Sequence, residues 1–98
     1  MAAYVYIMAN ALHTVVYTGV TNDLLRRVYE HKNAVDPKSF TARYSVHELV
    51  YYEIHPTMPQ AIWREKQIKG RSRKYKNALV NEMNPNWNDL YPELVKNT

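Results

Sequence analysis

At 98 residues, with 13 Lys+Arg against 9 Asp+Glu and a net charge of +4, the chain is sized for one hydrophobic core and no more. The absence of cysteine excludes a disulfide framework and a thiolate zinc site, and it suits a reducing compartment. No apolar run approaches the roughly 18 residues that span a bilayer, and no basic leader precedes the first apolar stretch, so a cytoplasmic protein with no membrane contact is expected.

The elements follow in order. Residues 3–8, Ala-Tyr-Val-Tyr-Ile-Met, are aromatic and β-branched and read as a strand, as do residues 14–20, Thr-Val-Val-Tyr-Thr-Gly-Val. The two should pair as an antiparallel hairpin, in a register that sets Tyr6 opposite Tyr17 with Gly19 leaving open space beside them. Thr21 or Asn22 can cap a helix over 23–33, with Asp23 favourable in its first turn. Residues 34–45 read as a loop, and 46–54 as a third strand. Pro56 and Pro59 introduce a helix over 58–70 that closes near Gly70, and a second helical run covers 73–83. The tail from Asn86 reads as irregular. The order ββαβαα specifies one α+β domain over 1–98: a short three-stranded antiparallel sheet covered by helices.

Charge is concentrated. Arg64, Lys66, Lys69, Arg71, Arg73, Lys74 and Lys76 crowd one stretch in which Glu65 is the sole acid, and Arg26, Arg27 and Lys32 form a second group. A polyanion-binding face needs such clustering. A solvated helix surface is the competing interpretation.

Glu65 is the most informative residue on physical grounds. It falls between Ile62 and Ile68 in an apolar stripe with Met58 and Ala61, where a carboxylate loses hydration and requires a cation or donors. It is either an edge-of-stripe residue paired with an arginine or a metal ligand at the floor of a cleft. Arg27 and His31, four apart, share a helix face; Arg supplies a permanent cationic fork for a phosphate and His a group that is neutral near pH 7. Tyr6 and Tyr17 are either cross-strand packing or a polar, accessible patch.

In order and spacing, Tyr4-Val5-Tyr6, then Tyr17-Thr18-Gly19, then Asn22 to His31, then Ala61 to Lys69 with Glu65 at its centre, resemble the GIY-YIG nuclease family. Tyr4 stands where that family has the Gly of GIY, and Thr18 where it has the Ile of YIG. The compact end, Asn84-Pro85-Asn86-Trp87-Asn88-Asp89-Leu90, is similar to that of small stand-alone bacterial members related to the nuclease domain of the excision-repair incision subunit. The resemblance implies a metal-dependent DNA endonuclease that hydrolyses a phosphodiester bond. Its site would be Tyr6, Tyr17, Arg27, His31, Glu65 and Asn84, with Asn86 and Asn88 as competitors for the closing Asn. Glu65 would hold one Mg²⁺ or Mn²⁺, Arg27 would stabilise phosphate charge, and Tyr6 or Tyr17 would take a proton from water. DNA would run along Arg26, Lys32, Lys69, Arg71, Arg73, Lys74 and Lys76. The alternatives are a non-catalytic nucleic-acid-binding module on the same fold and a protein-interaction domain.

Overall fold

The computed structural model describes residues 2–98. Three antiparallel strands, β1 (Ala3–Ala9), β2 (Val16–Thr21) and β3 (Glu48–His55), lie in the order β2-β1-β3. Around them are α1 (Leu24–Lys32), α2 (Phe40–Arg43), α3 (Met58–Lys69), α4 (Arg73–Met83) and α5 (Tyr91–Lys96). The expected α+β architecture holds, with two additions: α2 inside the stretch expected as a loop, and α5 in the tail expected as irregular.

β1 is the central strand and is covered on both faces, which is why nearly all of it is apolar or aromatic. On one face Ala3, Val5, Ile7 and Ala9 join Val50 and Tyr51 of β3 against Ala61 and Ile68 of α3 and Val80 of α4. On the other, Tyr6 and Met8 join Leu49, Val46 and the α1 residues Leu24 and Val28, and Tyr17 and Leu94 pack at the margin. A bulge in β3 opposite Ile7 and Met8 leaves Val50 as the extra residue, and the consecutive Val50 and Tyr51 both join the same cluster.

Register and caps depart from expectation. Tyr6 pairs with Gly19, and Met8 with Tyr17, a slip of two residues from the expected pairing. Because side chains alternate with period two, this slip keeps both tyrosines on one face, where a slip of one would have separated them. Asp23, not Thr21 or Asn22, caps α1, accepting from the Arg26 amide, while Thr21 Oγ1 accepts from the Asp23 amide. Ser39, Thr57 and Ser72 cap α2, α3 and α4. Among the described residues no helix is long and apolar enough to cross a membrane.

Candidate active site

The β1–β2 hairpin and α1 build the first half of the site. Tyr6 points from β1 toward α1, and its hydroxyl lies 2.9 Å from Nε2 of His31. Gly19 faces it on β2, where an added Cβ would overlap the phenol. The space beside Gly19 is therefore filled by Tyr6 itself, and the glycine is required by this close approach. Tyr6 is 1% exposed, so of the two readings of the tyrosines, packing holds for Tyr6, and only the half-buried Tyr17 reaches the surface.

His31 is buried too, on the inner side of α1. Its Nδ1 lies 2.8 Å from Oγ1 of Thr41 on α2, and Thr41 Oγ1 is 3.2 Å from Ser39 Oγ. Burial, aided by the positive charge of Arg27, lowers the His31 pKa to about 4, so the ring is neutral near pH 7. Burial also pushes the Tyr6 hydroxyl well above its ordinary value, with Tyr17 adding to the effect and Arg27 opposing it. Arg27 stands beside both phenols and is paired with Glu30 at 3.0 Å. Arg27, Glu30, His31 and Ser39 line a small cleft of about 160 Å³. Thr41 and Ser39 lie in the stretch expected as a loop. The Ser-x-Thr run after Pro37, a ready N-cap, is the signal that could have found them.

α3 brings the second half. Glu65 lies on the inner stripe beside Ala61 and Ile68, as its spacing requires, although Ile62 is turned outward. Its carboxylate is paired with Lys69 Nζ at 3.0 Å, one helical turn on. The same Nζ stands 5.6 Å from the centre of the Tyr17 ring, which places Glu65 on the Tyr17 side of α3. The Tyr17 ring lies 6.3 Å from that of Tyr6 and 5.5 Å from that of His31. It also continues outward into Phe40 at 6.0 Å, itself 4.7 Å from Tyr44, both of them exposed aromatics of the α2 segment.

Tyr6, Tyr17, Arg27, His31 and Glu65 are thus brought to one side of the molecule. Among the described residues no hydrogen bond joins Asn84 to them. It is buried at the C-cap of α4, where its Nδ2 donates to the carbonyls of Val50 and Asn88 and its Oδ1 accepts from the Asn88 amide. Those bonds fasten the C-terminal segment to the bulge of β3.

The expected DNA-tracking cations divide. Arg64 makes a two-pronged pair with Glu53 of β3, its Nε and Nη2 at 2.9–3.1 Å from the carboxylate. Glu53 also accepts from the Tyr51 hydroxyl and meets His55 Nε2 at 2.9 Å. Arg73 donates to the carbonyls of His13 and Thr14 at 2.6 and 3.0 Å and so pins the β1–β2 turn. Lys32 is bonded to Asp89 and lies over the Tyr91 ring. Arg26 has only a loose 3.9 Å approach to Asp23, and Arg71 stacks on Tyr75 at 4.3 Å. Lys66, Lys74 and Lys76 make no ion pair among the described residues. A surface cavity of about 450 Å³ between Pro56, Pro59 and Trp63 is lined by no carboxylate, and its one permanent charge is the neutralised Arg64.

The comparisons with known proteins bear on the family and the fold. The family model described as the GIY-YIG catalytic domain matches residues 2–78. A UPF0213 protein of Haloquadratum walsbyi is 38% identical over 79 residues, which cover 81% of this chain and 86% of that protein. One from Natronomonas pharaonis is 40% identical over 77 residues, 79% of this chain and 88% of its own. The solution NMR structure of a UPF0213 protein from Bacillus halodurans has a similar fold, with a TM-score of 0.57 at 28% identity over 91% of this chain and 93% of that one. With its family model spanning both strands of the hairpin, α1 and the whole of α3, the chain belongs to the GIY-YIG catalytic domain family.

Proposed function

We propose that the chain is a metal-dependent endonuclease that hydrolyses a phosphodiester bond in DNA. The observation that carries this reading is Glu65: a carboxylate on the inner stripe of α3, beside Tyr17, whose sole charge partner among the described residues is one exposed lysine. A structural carboxylate this enclosed is ordinarily held by several donors.

The donor set suits Mg²⁺ or Mn²⁺. The described residues hold no cluster of three or more His, Cys, Asp or Glu of the kind zinc takes. A lone carboxylate fits a hard cation that keeps most of its waters and takes phosphate oxygens as further ligands. Lys69, at 3.0 Å, already places a positive charge against Glu65. A divalent cation bound there supplies positive charge against the scissile phosphate and a water of lowered pKa.

The chain's own groups do the rest. Tyr17, half-buried at the surface, would be the phenol that takes a proton from the attacking water, since Tyr6 is too deeply buried to do so. Neutral His31 and the space above Gly19 hold Tyr6 in place, and Tyr6 supports the Tyr17 ring at 6.3 Å. Arg27, fixed by Glu30 beside both phenols, stabilises the charge that develops on the phosphoryl oxygens. Asn84 acts at a distance, by fastening the bulge of β3.

The test is a panel of linear, nicked and branched DNA incubated with Mg²⁺ or Mn²⁺, alone and with chelator. Metal-dependent strand scission by the wild-type chain, lost in Glu65→Gln, supports the proposal. DNA binding without scission under every condition would leave a binding module in its place.

A further inference from the structure

Lys69 stands between the two groups assigned to chemistry. It sits one turn after Glu65, in the last turn of α3, and its ammonium lies 3.0 Å from the Glu65 carboxylate and 5.6 Å from the centre of the Tyr17 ring. The partners are unequally enclosed. The Glu65 side chain is 12% exposed and that of Lys69 is 49% exposed. The carboxylate is therefore fixed and poorly hydrated, while the ammonium sits on a flexible stem that can return to water at little cost.

A cation approaching Glu65 meets this ammonium first. The two positive charges cannot share one carboxylate closely, so one of them must leave, and only Lys69 is tethered loosely enough to move. Once displaced, the ammonium remains attached beside Tyr17, where a phosphate held at the same cation would lie within the sweep of a lysine side chain. We infer that Lys69 is a placeholder cation, which neutralises Glu65 in the free protein and passes to the phosphate when a divalent cation and nucleic acid bind. The inference rests on the reading of Glu65 as the metal-holding residue.

Two consequences follow from the chemistry alone. Metal and DNA bind cooperatively, since the metal frees a lysine for the phosphate and DNA gives that lysine somewhere to go; by linkage each ligand tightens the other by the same factor. In addition, the ammonium weakens metal binding in the absence of DNA, by the factor a single partly exposed ion pair supplies, about 2–5-fold.

The experiment uses three variants of the full chain, Lys69→Met, Lys69→Arg and Glu65→Gln, each checked for a wild-type melting profile. Mn²⁺ affinity without DNA is read from the electron paramagnetic resonance signal of the free ion. Affinity for a short labelled oligonucleotide is read by fluorescence anisotropy over a range of salt, with and without Ca²⁺. Lys69→Met is expected to bind Mn²⁺ about 2–5-fold more tightly than wild type and to show a smaller gain in DNA affinity on adding Ca²⁺. In the wild type, and not in Lys69→Met, Ca²⁺ should steepen the dependence of log affinity on log salt by roughly one phosphate contact. Lys69→Arg, which keeps the charge, should behave as wild type. If Glu65→Gln loses Mn²⁺ binding while Lys69→Met changes neither the Mn²⁺ affinity nor the gain with Ca²⁺, the placeholder role is overturned and the assignment of Glu65 stands. If Glu65→Gln still binds Mn²⁺ as wild type does, the inference and the metal assignment fall together.

Discussion

Glu53 and Glu65 are the most enclosed of the ion-paired carboxylates, with side chains 17% and 12% exposed, and the fold treats them in opposite ways. Glu53 of β3 receives the fork of Arg64, the hydroxyl of Tyr51 and the imidazole of His55, so both of its oxygens are saturated. Glu65, the residue next to Arg64, receives one lysine. Burial alone does not distinguish them. What separates a structural carboxylate from one available to a ligand is how much of its hydrogen-bonding capacity the protein itself has used. α3 thus carries one residue that completes a closed network and, immediately after it, one that leaves a network open.

The sharpest way to break that comparison is to neutralise each carboxylate in turn. Glu65→Gln should abolish cleavage and leave the melting temperature close to wild type, because the exchange is nearly isosteric and the one partner it releases, Lys69, is half-exposed and returns to water. Glu53→Gln should do the reverse: it strands Arg64 and costs about 3 kcal/mol of stability, while cleavage per folded molecule is retained. Denaturation midpoints and turnover measured on the same preparations decide between these outcomes, and a Glu53→Gln chain that is stable but inactive would erase the distinction.

Arg27→Ala comes next. One preorganised donor aimed at developing phosphoryl charge is worth about 10²–10³ in rate, whereas one exposed phosphate contact contributes little affinity. Cleavage at saturating DNA should therefore fall by that factor with the dissociation constant nearly unchanged. Equal losses in both would make Arg27 an ordinary phosphate contact.

Stability against pH separates the two faces of the sheet. The carboxyl of Glu53 is held below its ordinary value: burial opposes this, but bonds from Arg64, Tyr51 and His55 outweigh it. Its contribution is present above the unfolded value of about 4.5 and is lost as pH falls through the lower folded value. His31 acts over a higher window. Its folded pKa of about 4 lies below the unfolded 6.5, so the unfolded chain takes up a proton first and stability declines as pH falls from 6.5 toward 4. That shift corresponds to about 3 kcal/mol. Melting curves across this range should slope for the wild type and flatten for His31→Gln, which bonds but does not titrate. A wild-type curve flat between pH 6.5 and 4 would remove His31 as a neutral, buried partner of Tyr6.

Much of this is legible in the amino-acid sequence alone, and the reasons lie in particular residues. β1, α1 and α3 announce themselves by composition and period, and Glu65 stands out because its spacing from Ile62 and Ile68 places it on a buried stripe. The shared face of Tyr6 and Tyr17 survives the error in register because that error is even. α2 and α5, of four and six residues, are too short for a period to show. The burial of Tyr6 is not legible, because the run Tyr4 to Met8 fits a half-covered sheet as well as it fits a central strand covered twice. The Arg64–Glu53 pair joins a helix to a strand residue eleven positions earlier, and the clamp of Arg73 on His13 spans sixty. Contacts of that reach leave no local pattern.

The smallest expected effect concerns the basic run, which the structure sorts as it sorts the carboxylates. Arg64 and Arg73 are committed to Glu53 and to the β1–β2 turn, and Lys69 to Glu65, whereas Lys66, Lys74 and Lys76 carry no ion pair among the described residues. Cations without partners repel one another and are discharged by a polyanion, so these three should account for most of the salt dependence of DNA binding. Neutralising Lys66, Lys74 and Lys76 to Gln should flatten log affinity against log salt by roughly one unit per lost phosphate contact, alike for every sequence, with the rate at saturating DNA nearly unchanged. Arg73→Gln should have the opposite signature: a loss of about 1–2 kcal/mol in stability from the two carbonyls it leaves, with the slope almost intact. If the triple variant keeps the wild-type slope, the run is a solvated surface, and the DNA path must be sought across Arg26, Phe40 and Tyr44, on the side where Tyr17 emerges.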